Sequence, residues 1–152
     1  MKKYLFIIAV LAGMTSCLKS GLDELPAFDE ADITGVFFEY RYIYTRPDGG
    51  TEVKNQTLTN SASTINKEQA TVTVTVNVPA ANSTFTESER NNVSINSLIA
   101  RMDLTTAAKV EPVEGAPALG SPGNFASPAK YKVTSADGKT SKTWTLSVTL
   151  VK

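Results

Sequence analysis

Thr71-Val72-Thr73-Val74-Thr75-Val76-Asn77-Val78 is the most strictly alternating stretch of this chain, with a valine at every second position. Successive side chains of a β-strand point to opposite faces, so the valines share one face and the polar residues the other. The pattern predicts a strand in an antiparallel sheet that is buried on one side and wet on the other. Pro79 ends the strand, because proline has no N–H to donate to the ladder.

The same period of two recurs in five other segments, at residues 35–45, 51–58, 98–106, 130–135 and 143–150. Arg46-Pro47-Asp48-Gly49-Gly50 joins the first two as a hairpin, and Asp137-Gly138 lies in the loop that joins the last two. Glycine supplies the positive φ that such turns need. We expect at most a short helical turn, within residues 87–99. Six or seven strands without crossover helices predict an all-β domain over residues 33–152, a single immunoglobulin-like antiparallel β-sandwich.

The first seventeen residues have the pattern of a secretory signal. Lys2 and Lys3 precede an apolar run at residues 4–13, and small residues then lead to Cys17, the only cysteine. The pattern predicts a signal peptide at residues 1–16 that is cleaved before Cys17. A transmembrane anchor would need roughly 20 apolar residues. A cleaved signal without lipid would leave a free thiol on an exported protein, which is unusual outside the reducing cytosol.

This N-terminal segment resembles the lipobox of bacterial lipoproteins. The resemblance implies that the sulfur of Cys17 carries a diacylglycerol, and that the partner of this end of the chain is a membrane. Residues 17–32 would then form an acidic tether, with Asp23, Glu24, Asp29, Glu30 and Asp32 as its acids. We interpret them as a solvated spacer, since the calcium-binding EF-hand spacing is missing. Acids near the lipidated cysteine resemble the surface-display signal of lipoproteins from the Bacteroidota, which implies the outer membrane and the cell surface.

The composition argues against several classes of function. Removal of Lys2 and Lys3 with the leader leaves 13 basic residues against 15 acidic ones, so no basic surface for nucleic acid is expected. The chain has no histidine, the commonest general base and metal ligand. We therefore expect no cofactor, no metal site and no enzymatic activity. Pairs of carboxylates, Glu87 with Glu89 and Glu111 with Glu114, leave a hydrolase as the remaining catalytic alternative.

An aromatic row is the best candidate for a binding feature. In Val36-Phe37-Phe38-Glu39-Tyr40-Arg41-Tyr42-Ile43-Tyr44, the even-numbered positions share one face of a strand. Such a row can stack against sugar rings, but it is also what a sandwich core needs. Because Tyr42 and Tyr44 lie closest to the turn, we expect them to be the most exposed of the row and name them as candidate ligand-binding residues. Trp144 lies in register with Leu146 and Val148, which favours a core position.

The C-terminal third carries a second resemblance. Tyr131-Lys132-Val133-Thr134, Asp137-Gly138 and Trp144-Thr145-Leu146-Ser147-Val148 follow one another within residues 95–151. This order resembles immunoglobulin-like or cadherin-like domains of unknown function in surface lipoproteins of the Bacteroidota. The resemblance implies a binding or spacer module that works with glycan-capture machinery, with a polysaccharide as partner. The alternative is a structural adaptor that pairs an open sheet edge with another envelope protein.

Overall fold

The structure, a computed structural model, describes residues 27–152. Eight strands account for most of the regular structure: β1 (Ile33–Thr45), β2 (Thr51–Asn66), β3 (Thr71–Asn77), β4 (Leu98–Leu104), β5 (Lys109–Val113), β6 (Pro122–Gly123), β7 (Ala129–Thr134) and β8 (Ser141–Val151). A short helix α1 (Glu87–Asn92) and a single 3-10 turn (Ile95–Ser97) lie between β3 and β4. The predicted all-β sandwich is confirmed. The predicted signal peptide and Cys17 lie outside the described residues.

Strand β2 belongs to both layers of the sandwich. The strands follow the order β5-β7-β8-β3-β2-β1-β4-β6. Residues 51–58 of β2 pair with β1, whereas residues 59–66 pair with β3, and the register shifts between Asn60 and Ala62. A β-bulge bends a strand and increases its twist. The bulge therefore lies where β2 leaves one sheet and enters the other.

One pair of strands departs from the antiparallel arrangement expected from the sequence. β3 and β8 run parallel, with Val72 opposite Leu146 and Val74 opposite Val148. The antiparallel prediction is wrong for this pair, because alternation reveals which face a side chain takes but not the direction of the neighbouring strand. Parallel neighbours need a crossover connection. Here the whole stretch from α1 to β7 serves as that connection.

The core lies between the inward faces of the two layers. One layer contributes Val36, Phe38, Leu58 and Ala100, and the other contributes Val72, Val74, Val76, Tyr131, Val133, Trp144 and Leu146. The ring of Phe125 closes one end of this core with an edge-on contact to Phe38 at 5.4 Å between centroids. The predicted core position of Trp144 is confirmed, since its side chain is fully buried.

The two ends of the sandwich differ in character. β1 starts at the end that carries the short β2–β3, β4–β5 and β7–β8 connections. The opposite end carries the β1–β2 turn, the long connections at residues 78–97 and 114–128, and the C-terminus. We refer to these as the entry end and the loop end. Loops held on a rigid scaffold are where binding residues concentrate.

The folded domain begins slightly before the predicted boundary at residue 33. Ala31 and Asp32, which the sequence placed in the solvated tether, are both buried at the entry end. The backbone carbonyl of Ala31 accepts a hydrogen bond of 3.0 Å from Trp144 Nε1. The tether assignment is therefore wrong for these two residues. The sequence did not indicate that burial begins at Ala31, because Asp32 follows the acids Asp29 and Glu30, which are exposed.

Candidate binding surface at the loop end

The outer half of the β1–β2 hairpin extends beyond the strands that flank it. Pairing between β1 and β4 ends at Glu39 opposite Ile99, and pairing between β2 and β3 begins at Thr59. Residues 40–45 and 51–56 pair only with each other. This part of the molecule is a two-stranded ribbon that projects from the loop end.

The inner face of the ribbon carries the aromatic row. Tyr42 is only 7% exposed, because the ring of Phe85 lies 5.7 Å from its ring centroid. Tyr40 stacks on Tyr42 at 6.0 Å with nearly parallel rings. The expectation that Tyr42 is exposed is therefore wrong. Phe85 belongs to the irregular connection at residues 78–97, which has no periodicity from which its position over the row could be predicted.

Tyr44 is half-buried and is the member of the row nearest the turn. Lys54 Nζ lies 4.4 Å from the centroid of its ring and 3.1 Å from Glu52 Oε1. A cation over an aromatic face is attracted by the ring quadrupole. Tyr44 is thus held against charged neighbours rather than presented as an open platform, although part of its ring still contacts solvent.

A polar contact fixes α1 to the hairpin. The Tyr40 hydroxyl donates a hydrogen bond of 3.2 Å to Glu89 Oε2. Burial, together with the neighbouring Glu89 charge and this hydrogen bond, raises the pKa of Tyr40 above its ordinary value. The Thr86 hydroxyl caps the helix by accepting from the Glu89 N–H. Glu89, one of the carboxylates of the hydrolase alternative, therefore has a structural contact.

The outer face of the ribbon exposes apolar side chains. Ile43 and Val53 are directly opposite each other, and they are 68% and 66% exposed. Phe37, on the same face, is 43% exposed. Arg41 Nε donates a hydrogen bond of 3.1 Å to Asn55 Oδ1 beside them. The period of two had placed Phe37 and Ile43 opposite the row, but it could not show that this face lacks a covering layer.

The ribbon also has open backbone edges. The Arg46 N–H donates to Gly50 O at 2.7 Å, which makes these two residues a hydrogen-bonded pair. Because such pairs alternate along antiparallel strands, Tyr44–Glu52 and Tyr42–Lys54 are bonded internally. The N–H and C=O groups of Thr51, Val53, Asn55 and Thr57 then point outward. Within residues 27–152, no strand pairs with that side of residues 51–57.

The formal edge strands of the sheet look different. β5 carries Lys109, Glu111 and Pro112, and β6 is only two residues long. Charge, proline and shortness are the usual ways in which an edge is protected from pairing with another chain. Residues 51–57 of β2 contain no proline, and their two charged residues, Glu52 and Lys54, are of opposite sign. The β2 edge therefore has neither the shortness of β6 nor the proline of β5.

A second feature of the loop end is a small cavity of about 210 Å³. Its walls are formed by residues 114–117, Asn124 and residues 127–130. Lys130 Nζ lies 2.7 Å from Glu114 Oε2, so the lining contains an ion pair. Glu114 has a φ of 54°, and Gly115 follows with a φ of 78°. A non-glycine residue with positive φ is uncommon and often marks a functional site.

The cavity wall is supported from the core. The Tyr131 hydroxyl donates a hydrogen bond of 2.8 Å to the carbonyl of Pro117. Burial raises the pKa of Tyr131 to about 12. Glu111 lies on β5 and Glu114 at the following turn, where Glu114 is engaged by Lys130. In the described part of the chain, no three His, Cys, Asp or Glu side chains converge as a metal site would require.

Residues 27–152 contain no helix that is both long and apolar enough to cross a membrane. No curated protein matches the chain. A solved structure described as a putative secreted protein from Bacteroides fragilis is 37% identical, with a TM-score of 0.75, over 84% of this chain and all of that one. A putative glycoside hydrolase from Bacteroides thetaiotaomicron is 23% identical, with a TM-score of 0.47, over 87% of this chain and 28% of that one. The family model described as DUF5018-related matches residues 33–147. The chain therefore belongs to the DUF5018-related family.

Proposed function

We propose that this protein is a non-catalytic module of the bacterial cell envelope, which Cys17 anchors to the outer membrane and which binds a partner at its loop end. The N-terminal signal pattern supports the anchor. The similarity to a Bacteroides fragilis protein described as secreted supports an exported location. The absence of histidine from the sequence supports a binding role over acid–base catalysis.

The observation that carries this proposal is that the chain entry and the ribbon lie at opposite ends of the domain. The chain enters the domain at Asp32, and the ribbon projects from the other end. A 13-residue strand such as β1 extends for about 40 Å, since each residue adds about 3.3 Å. A tether attached at the entry end would therefore hold the ribbon facing away from the membrane.

The ribbon fits an extended segment of another envelope protein. Such a segment can add as a strand to the open β2 edge and take its main-chain hydrogen bonds from Val53 and its neighbours. The exposed side chains of Ile43 and Val53 would pack against alternate side chains of the added strand. This mode corresponds to the adaptor function inferred from the sequence.

Site-specific photo-crosslinking in cells tests this mode. Benzoylphenylalanine at position 53 should give a discrete crosslinked product whose partner is identified by mass spectrometry. The matched control is position 151, also an exposed strand valine but on β8. Equal products at both positions, or none at position 53, would contradict strand addition. Mass spectrometry of the native N-terminus tests the anchor, which requires acyl chains on Cys17.

Glycan binding is the second candidate, and the cavity favours it. Lys130 and Glu114 already neutralise each other, so a charged ligand would have to break their pair. A neutral, hydroxyl-rich ligand can accept from the ammonium and donate to the carboxylate with the pair intact. The volume of about 210 Å³ lies below the range of drug-sized pockets, which suits a single sugar residue.

Titration with monosaccharides, followed by amide chemical shifts, tests the glycan candidate. Saturable shifts are expected at Gly115, Asn124 and Ser127, and Lys130→Met should weaken them. The control is Lys132→Met, on the same strand but not in the cavity wall. The absence of saturable shifts, or shifts confined to other surfaces, would remove the cavity as a sugar site. Retained crosslinking at position 53 would leave the strand-addition mode standing.

A further inference from the structure

We propose that the open β2 edge pairs with the same edge of a second copy and forms a two-fold symmetric dimer. The inference rests on the strand-addition mode of the proposed function, with a second copy of this chain in place of another envelope protein at the edge. Two copies of one strand can pair antiparallel about a two-fold axis, so that every contact occurs twice. The register of that pairing follows from the charges at the edge.

The favourable register centres on Val53. Val53 then faces Val53 of the second copy, and its outward N–H and C=O groups exchange hydrogen bonds with the same groups there. Thr51 faces Asn55 of the second copy, which adds further ladder bonds. Between these rows Glu52 faces Lys54 of the second copy. Opposite charges placed directly across two strands stabilise the pairing.

Centring the pair one residue later gives the opposite result. Lys54 would then face Lys54 of the second copy, and like charges directly opposite destabilise a strand pair. The backbone permits this register, because Lys54 would form a non-hydrogen-bonded pair between two Val53–Asn55 pairs, so the charges are what disfavour it. The charges of Glu52 and Lys54 therefore select the Val53-centred register.

The exposed apolar side chains support the same partner. In the Val53-centred register the outer face brings the two Val53 side chains together, with Ile43 beside each of them. These four side chains form one apolar patch across the joined ribbons. Two residues that are about two-thirds exposed in one copy would lose part of that exposure to each other.

The interface is small, so the dimer should be weak in solution. Pairing involves about five residues from each copy, which is well below the size of a standard stable interface. Anchoring by lipid would confine the copies to one surface and raise their effective concentration. We therefore expect self-association that depends strongly on protein concentration.

Charge exchange tests this dimer. Sedimentation velocity of residues 17–152 carrying Cys17→Ser, up to about 1 mM, should show a monomer–dimer equilibrium. Glu52→Lys and Lys54→Glu each place like charges opposite each other twice, and each should weaken self-association about tenfold. The double exchange restores opposite charges and should recover the dimer. A mixture of the two single variants should form a heterodimer, since one is all positive at the edge and the other all negative.

Two further measurements separate the dimer from changes in folding. Glu68→Lys, an exposed acid in the entry-end turn, should leave self-association unchanged. Hydrogen exchange at the Val53 N–H should slow as concentration rises, whereas the Lys54 N–H, already bonded within the hairpin, should not change. A monomer at every concentration, or a dimer that ignores both charge changes, would overturn the inference. If position 53 still crosslinks to another protein, the proposed function survives that result.

Discussion

Lys142 Nζ lies 2.6 Å from Asp32 Oδ1, and the two residues are 110 positions apart in the chain. Lys67 Nζ lies 3.3 Å from the other carboxylate oxygen of Asp32. The Asp32 N–H also donates to the Thr105 hydroxyl at 3.2 Å. Asp32 thus connects the segment before β1 with β8 and with two turns of the entry end. Two hydrogen bonds precede it along the chain: the carbonyl of Phe28 accepts from the Asp137 N–H at 3.2 Å, and the carbonyl of Glu30 accepts from the Thr105 hydroxyl at 2.9 Å.

Replacement of Asp32 by asparagine should destabilise the domain by about 1–3 kcal/mol, because two lysines lose their buried partner. Urea denaturation at pH 7, followed by the fluorescence of Trp144, measures the free energy of unfolding. Asp103→Asn is the matched control, since Asp103 is exposed and forms no ion pair with any described residue. Equal effects of the two substitutions would show that the ion pairs contribute nothing specific.

The pH dependence of stability should reveal the same carboxylate. Burial by itself would raise the pKa of Asp32, but hydrogen bonds and attraction from Lys142 and Lys67 outweigh it and lower the pKa. A lowered folded-state pKa contributes stability above the unfolded-state value, and this contribution is lost as the pH falls through the folded-state value. The difference in unfolding free energy between wild type and Asp32→Asn should therefore shrink between pH 5 and about pH 2. A difference that stays constant over this range would contradict the assignment.

Trp144→Phe should cost about 1–3 kcal/mol, because it removes the hydrogen bond to Ala31 O and leaves a cavity in the core. Thermal unfolding followed by circular dichroism measures the loss, since the variant lacks the only tryptophan. Limited proteolysis adds a local readout, with cleavage near Ala31 expected to accelerate. Cleavage that accelerates equally throughout the chain would indicate global destabilisation without a specific role in holding residues 31–32.

Six strands could be predicted from the sequence because their information is local, whereas β5, β6 and residues 59–66 of β2 were not predicted. Alternating valines predicted β3, and the Pro47-Asp48-Gly49 turn predicted the hairpin between β1 and β2. The parallel pairing of β3 with β8 was not predictable, because neither strand encodes the direction of its neighbour. The burial of Asp32 depends on Lys142, and the burial of Tyr42 depends on Phe85. Both contacts join residues that are far apart in sequence and share no periodic pattern.

The candidate site was predictable only in part for the same reason. The sequence pointed to the hairpin, but it favoured the aromatic face that α1 and Phe85 cover. The exposed apolar pair on the other face requires Val53, which alternation alone did not distinguish from a core residue. The open edge becomes visible only when the ends of the β4 and β3 pairings are known.

Tyrosine ionisation should occur in at least two steps. Burial raises the pKa of Tyr131 to about 12, so its phenol stays protonated when more exposed tyrosines have ionised. A raised folded-state pKa gives stability that is present below the unfolded-state value near 10 and is lost as the pH rises further. Spectrophotometric titration of residues 17–152 should show a late-ionising tyrosine that Tyr131→Phe removes, while Tyr40, whose pKa is also raised, remains in that variant. Loss of an early-ionising tyrosine in that variant would contradict the burial of the hydroxyl.

Gly123→Ala should disturb the cavity through its wall. A Cβ at this position would overlap with Pro117 Cβ, so the loop at residues 114–117 would have to move. We expect a loss of about 1–3 kcal/mol from the overpacking, together with weaker monosaccharide shifts if the cavity binds sugar. Pro117→Gly in the same chain removes the opposing atom and should recover much of the stability. The double variant also frees the backbone at position 117, so recovery is measured against the single Pro117→Gly variant. If Gly123→Ala lowers the free energy of unfolding of Pro117→Gly by as much as it lowers that of the wild type, the strain arises elsewhere.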